Sequence, residues 1–141
     1  MAANPLLGIH HVTYVVDDVS KVIEFLQKSF DLQPTEVVDN PKRGLKEAYY
    51  KIGPTIVDFF QPMRDDADHA KFLREKGPGI SHVGWLVEDI DGVARDLVSR
   101  GANTRDGDHG SVSPHGYKTL SIDPPNAAGI LFQMAEGELE H

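Results

Sequence analysis

The strongest constraint on this chain is that it states one phrase twice. Ile9-His-His-Val-Thr-Tyr-Val-Val-Asp-Asp-Val19 returns as Ile80-Ser-His-Val-Gly-Trp-Leu-Val-Glu-Asp-Ile90, with His11 and His82 at the same place, 71 residues apart. Each copy alternates apolar and polar residues, as a half-buried strand does, then reaches an acidic pair that leads into a helical pattern. Self-similarity on this scale implies two copies of one supersecondary unit related by an approximate two-fold axis. Equivalent strands of such a pair can face each other, which would aim His11 and His82 into one cavity.

Both halves read β-α-β-β-β. In the first, a strand over 9–16 is followed by Asp17, Asp18 and Ser20 as N-cap candidates. Val19, Val22, Ile23, Phe25, Leu26 and Phe30 then recur at helical spacing. Extended runs follow over 35–38, 45–52 and 55–61, the last two joined tightly by Gly53-Pro54. A short helix over 65–76, acidic in front and basic behind, links the halves. The second half has a strand over 80–87, a helix over about 89–100 stopped by Gly101, and a polar stretch over 103–116 whose strand has no clear place. Strands over 117–122 and 129–134 close it. The expectation is one α+β domain over 1–136, built of two tandem βαβββ modules (about 9–62 and 80–135) that form a cupped mixed sheet around one shared site.

A chain of 141 residues with 40% hydrophobic and 26% charged composition can bury a real core and is globular in character. No apolar run approaches membrane-spanning length, the short N-terminus lacks the regions of a signal peptide, and a cytoplasmic location is expected. The absence of cysteine removes disulfides, thiolate metal sites and cysteine nucleophiles together, so any metal must be held by nitrogen and oxygen. A formal net charge of −8 argues against nucleic acid as a partner. Residues 139–141 read as the start of a vector-encoded histidine tag, and His141 is excluded from site reasoning.

Strand alternation lets the inward set be read off. His11 shares a face with Ile9, Thr13 and Val15. Asp58 shares one with Ile56 and Phe60, in the middle of the apolar run Ile56-Val-Asp-Phe-Phe60. The equivalent position of the last strand is Gln133, also among apolar neighbours. Burying a carboxylate or an amide without a partner costs a few kcal/mol, so both positions ask for one. His11, Asp58, His82 and Gln133 would together offer two nitrogens and two oxygens to a metal, with coordination positions left open. His10 falls on the opposite face, and His69 and His109 have no partner that the sequence can name.

These residues carry a family resemblance. The paired βαβββ units and the four-point donor pattern resemble the vicinal oxygen chelate superfamily, the glyoxalase, bleomycin-resistance and extradiol dioxygenase group. Within it the chain is similar to the methylmalonyl-CoA epimerase branch over nearly all of 9–136. The specific stretches are Asn40-Pro-Lys-Arg-Gly44, Asp68-His-Ala-Lys-Phe-Leu-Arg-Glu-Lys-Gly77 with Gly79-Ile-Ser-His82, and Pro114-His-Gly116. The resemblance places the metal ligands at His11, Asp58, His82 and Gln133. It also places Glu47 where some epimerases have a carboxylate beside the substrate's α-carbon. Alternation sets Glu47 and Tyr49 on one face, as cavity-lining residues would be. Two departures stand out: Asp58 is shorter than the branch's usual Glu or Gln, and Gln133 replaces a Glu with a side chain that cannot act as a base.

The resemblance implies a metal-dependent epimerase or isomerase acting through an enolate, with Glu47 as proton carrier and Tyr49, Phe60 and His115 as substrate contacts. It implies a divalent ion (cobalt, manganese, nickel, zinc, magnesium or iron), a small-molecule substrate of the acyl-CoA kind and a homodimer. Lys42, Arg43, Lys46, Lys71, Arg74, Lys76 and Lys118 are the cations near the site in sequence. The same fold also serves lyases and ring-cleaving dioxygenases, and the cavity could survive in a non-catalytic binding protein. An iron and oxygen requirement would mark the dioxygenase.

Overall fold

The acidic pair that ends each copy of the repeated phrase acts the same way twice. Asp18 accepts a hydrogen bond from the Ser20 amide at 2.9 Å and opens helix α1 (Val19–Phe30). Asp89 accepts one from the Gly92 amide at 3.1 Å and opens helix α3 (Ile90–Ser99). Each satisfies one of the amides that a helix start leaves without an intrahelical acceptor. A second side chain joins it from far along the chain. Gln61 Oε1 accepts from the Val19 amide and Glu136 Oε2 from the Ile90 amide, both at 2.9 Å. The repeat therefore extends to the way the helices are anchored.

The computed structural model describes residues 4–113 and 115–137. Pro114 and the expected tag remnant at 139–141 lie outside the described residues. The remaining elements are β1 (Gly8–Val15), β2 (Glu36–Asn40), β3 (Leu45–Ile52), β4 (Thr55–Pro62), α2 (Ala70–Lys76), β5 (Gly79–Val87), β6 (Ser111–Val112), β7 (Lys118–Ile122) and β8 (Phe132–Glu136). The fold is α+β, and both halves follow the expected β-α-β-β-β order. The strand that the sequence left unplaced in 103–116 is the two-residue β6. No helix among the described residues is long and apolar enough to cross a membrane.

Contacts divide the chain into two compact units, one from His11 to Ser81, the other from the described parts of Met1–His10 and His82–His141. In the first unit the strands lie in the order β2-β3-β4-β1, with β1 and β4 parallel and the other pairs antiparallel. Helix α1 covers one face, packing Val19, Val22, Ile23 and Leu26 against Tyr14, Ala48, Tyr50 and Phe59. Because side chains alternate, the residues between these point to the other face. They are His11, Thr13, Glu47, Tyr49, Asp58 and Phe60, brought level by the pairings Thr13 with Asp58, Tyr49 with Asp58, and Glu47 with Phe60.

The second unit repeats the pattern in the order β5-β8-β7-β6, again with one parallel pair, β5 with β8. Its core is Val87, Ile90, Ala94, Leu120 and Met134, on the face that α3 covers. Gly84 pairs with Gln133 as Thr13 pairs with Asp58, so the two registers match residue for residue across the repeat.

The linker helix is shorter than its charge pattern suggests. It begins at Ala70, after His69 in a left-handed conformation (φ 68°), and 65–68 form turns instead. Two acidic residues of that stretch have side-chain partners: Arg64 bonds Asp66 at 3.0 Å and Arg43 bonds Asp68 at 2.6 Å. The Arg43–Asp68 contact is made across 25 residues, and the local preference for helix over so few residues is weak.

Candidate functional site

In the first unit, the sheet face opposite α1 concentrates polar groups where a core would place apolar ones. His11, Thr13, Glu47 and Asp58 are all buried, with Glu47 at 0% and Asp58 at 2% exposure. Glu47 is held at both oxygens. The Arg43 guanidinium lies 3.4 Å from Oε1, and the Tyr49 hydroxyl donates to Oε2 at 3.1 Å. Arg43 is in turn fixed by Asp68, and its guanidinium lies over the Phe60 ring at 5.5 Å. The buried carboxylate thus has a cationic partner, without which its desolvation would cost several kcal/mol.

Asp58 differs. Thr13 supplies a side-chain hydrogen bond, yet Oδ1 is buried with no hydrogen-bond partner. Burial pushes this carboxyl up to about 7, with the nearby Glu47 charge adding to the rise and the Thr13 bond and Arg43 opposing it. An orphaned buried oxygen of this kind is what a bound cation would satisfy, since native structures leave few such atoms unpaired.

The histidines separate by setting. His11 shares the polar face with Asp58. His69, for which the sequence offered no partner, packs its ring 5.6 Å from that of Phe60. Burial pulls it down to about 4, with the Arg43 charge adding to the effect and Asp68 opposing it. His10 packs against Tyr117, ring centroids 4.7 Å apart. Sequence reasoning named Arg43 only among the cations near the site and missed its grouping with Asp68 and His69. Its only trace was the cationic and acidic lettering of two stretches that resembled the epimerase branch.

In the second unit, His82 and Gln133 lie on the face away from α3, along with Ser121. The Gln133 amide donates to Ser121 Oγ at 3.5 Å, at the long limit of a hydrogen bond. His115 is exposed on a turn, its ring 6.4 Å from that of Tyr117. The structure thus brings His11 with Asp58, Glu47, Tyr49 and Phe60 in one unit, and His82 with Gln133 in the other. Among the described residues no three His, Asp or Glu side chains form a group that could hold a metal ion. Each unit offers a pair of donors, and the donor chemistry, imidazole nitrogen with carboxylate or amide oxygen, suits a divalent ion of the borderline or hard kind.

Comparison with known proteins agrees with this fold. Methylmalonyl-CoA epimerase, mitochondrial, of Mus musculus is 25% identical over 129 residues, covering 91% of this chain and 72% of the relative. The crystal structure of methylmalonyl-CoA epimerase from Mycobacterium tuberculosis superposes with a TM-score of 0.82 at 24% identity, covering 98% of this chain and 93% of that one. A Streptomyces coelicolor methylmalonyl-CoA epimerase variant in complex with 2-nitronate-propionyl-CoA gives a TM-score of 0.80 at 21% identity, with 94% and 98% covered. The sequence profile of the glyoxalase/bleomycin resistance protein/dioxygenase superfamily matches residues 10–117, more than half of the chain. The chain belongs to the glyoxalase/bleomycin resistance protein/dioxygenase superfamily.

Proposed function

We propose that this protein is an epimerase of acyl-CoA thioesters, moving a proton at the carbon between two carbonyl groups, with Glu47 as the proton carrier. One observation carries the reading: Glu47 is a fully buried carboxylate, held at both oxygens, on a sheet face lined with polar groups. The likeness to methylmalonyl-CoA epimerases supports the substrate class. A general base must be held within reach of the proton it takes, and water kept from competing for it. Burial serves the second requirement. Tyr49 and Arg43 serve the first, and their positive or hydrogen-bonding ends offset carboxylate charge whenever Glu47 is ionised. Phe60 supplies the apolar wall, and Tyr49 contacts substrate from the same face.

The donors proposed for a divalent ion are His11 and Asp58 in the first unit, and His82 and Gln133 in the second. Such an ion, when bound, supplies Lewis-acid polarisation of the substrate's carbonyl. His115 is proposed as a further substrate contact, and a cytoplasmic homodimer as the working form. Inversion requires a proton to return to the opposite face of the carbon. The Gln133 amide cannot act as an acid or a base at neutral pH, so exchange and inversion need separate measurement.

The test incubates the protein with methylmalonyl-CoA in deuterated water and follows deuterium at the α-carbon by mass spectrometry, with inversion followed in parallel. Wild type is expected to exchange the proton, and Glu47→Gln to lose roughly 100-fold or more, the usual scale for a positioned acid–base group. Equal exchange in both proteins would end the assignment of Glu47. Absence of exchange in wild type, with each divalent ion supplied in turn, would end the epimerase reading.

A further inference from the structure

We propose that Arg43 is a positioning residue that aims the Glu47 carboxylate, and that Asp68 and Phe60 aim Arg43. The inference rests on the reading of Glu47 as proton carrier. Arg43 sits in the connection between β2 and β3, four residues before Glu47, where a side chain would ordinarily extend into solvent. Two side-chain contacts prevent that, and a third fixes its backbone. Its amide donates to Asn40 Oδ1 at 3.2 Å, its Nε donates to Asp68 at 2.6 Å, and its guanidinium lies 5.5 Å from the centre of the Phe60 ring. Only then does Nη1 reach Glu47, at 3.4 Å. A planar guanidinium can hold two carboxylates at fixed angles, which the point charge of a lysine cannot.

The adjoining backbone is built to the same end. Gly44 follows Arg43 with φ at +67°, and a Cβ there would lie 2.9 Å from Ala67 Cβ and from the guanidinium carbon of Arg64. The Gly44 carbonyl accepts from the Met63 amide at 2.7 Å, and the Asp68 amide points to the Arg43 carbonyl at 3.4 Å. The turn carrying Arg43 is thereby packed directly against the segment carrying Asp68. Asp68 is half exposed and Glu47 is not. The guanidinium thus links a buried carboxylate to a surface one, and movement of the 64–69 segment would reach Glu47 through it. No residue of this relay other than Glu47 and Phe60 is assigned a place beside substrate, so its effect is on aim.

The experiment compares wild type, Arg43→Gln, Arg43→Lys and Asp68→Asn by crystal structure and by α-proton exchange. In Arg43→Gln the Glu47 carboxylate is expected to move by about 1 Å, a misplacement that costs roughly 100-fold in rate. That loss is expected in kcat, with KM changed by no more than about three-fold, because the groups that touch substrate stay in place. Arg43→Lys keeps the charge without the fork and is expected to recover part of the loss. Asp68→Asn, which leaves both Arg43 and Glu47 intact, is expected to give a smaller loss in the same direction, and it carries the test if Arg43→Gln fails to fold. An unmoved Glu47 carboxylate in the Arg43 or Asp68 variants overturns the proposal, as does a loss confined to KM. If wild type exchanges no proton, the epimerase reading fails by that result, and the positioning of Glu47 is judged on the crystal structures alone.

Discussion

At the scale of single residues, one buried and one half-buried titratable side chain set opposite pH windows on stability. Asp58 ionises near 3.8 when exposed and is pushed up to about 7 in the fold. The folded chain therefore holds a proton that the unfolded chain has released, and stability present below about pH 4 is lost as pH rises to 7. His69 runs the other way, pulled from 6.5 down to about 4. Its contribution is present above pH 6.5 and is lost as pH falls through 4, because the unfolded chain takes the proton first. The windows overlap with opposite slopes, so wild type conceals both. Single variants separate them. In urea titrations of metal-free protein, Asp58→Asn is expected to be more stable than wild type at pH 8. His69→Gln is expected to resist urea better than wild type at pH 4. A lower midpoint for Asp58→Asn at pH 8 would mean that the carboxylate is satisfied by a partner other than Thr13.

Each helix of the repeat is anchored at its start by two side chains, one adjacent in sequence and one from the last strand of its module. Replacing Asp18 or Asp89 by Ala should each cost about 1 kcal/mol, the usual effect of losing an N-cap. Gln61→Ala and Glu136→Ala remove the acceptors of the part-buried Val19 and Ile90 amides, and about 1–3 kcal/mol is expected from leaving such a donor unpaired. Chemical denaturation of the four variants checks both. The informative result is the comparison within each pair, since the repeat requires equivalent positions to behave alike. Asp18 was legible as a cap candidate because Asp before an apolar helical run is a local signal, whereas Asp89 read as the start of its helix. The far anchors were not legible, because Gln61 read only as a polar residue ending a strand and Glu136 lay past the expected end of the last strand.

For the whole molecule, the repeat makes a prediction about metal. Elemental analysis after incubation with cobalt, manganese, nickel, zinc or magnesium is expected to find a bound divalent ion in wild type. His11→Ala and Asp58→Asn should lose it, and His82→Ala tests the donor pair of the second unit separately. Retention in His82→Ala with loss in His11→Ala would restrict the donors to the first unit. Retention in every variant would remove these residues from metal binding altogether.

What the sequence determined by itself was everything that depends on neighbours a few residues apart. The duplicated phrase is read directly, and the order of the elements other than the short β6, the cap candidate Asp18, and the side of each strand on which His11, Glu47, Asp58 and Gln133 lie follow from local periodicity. The backbone repeats every two residues in a strand and about every 3.6 in a helix, so position along the chain already implies a face. The tertiary structure alone decided which of those faces are buried and what completes them. Arg43 meets Asp68 across 25 residues, and it meets Phe60 only because β4 runs beside β3. Asp65 to Asp68 had the charge pattern of a helix start, yet ion pairs to Arg43 and Arg64 hold part of that stretch in turns. The orphaned oxygen of Asp58 and the lowered ionisation of His69 are products of burial, which a strand's alternation suggests but cannot establish. Desolvation depends on every atom packed around a group, and those atoms come from segments that only folding brings together.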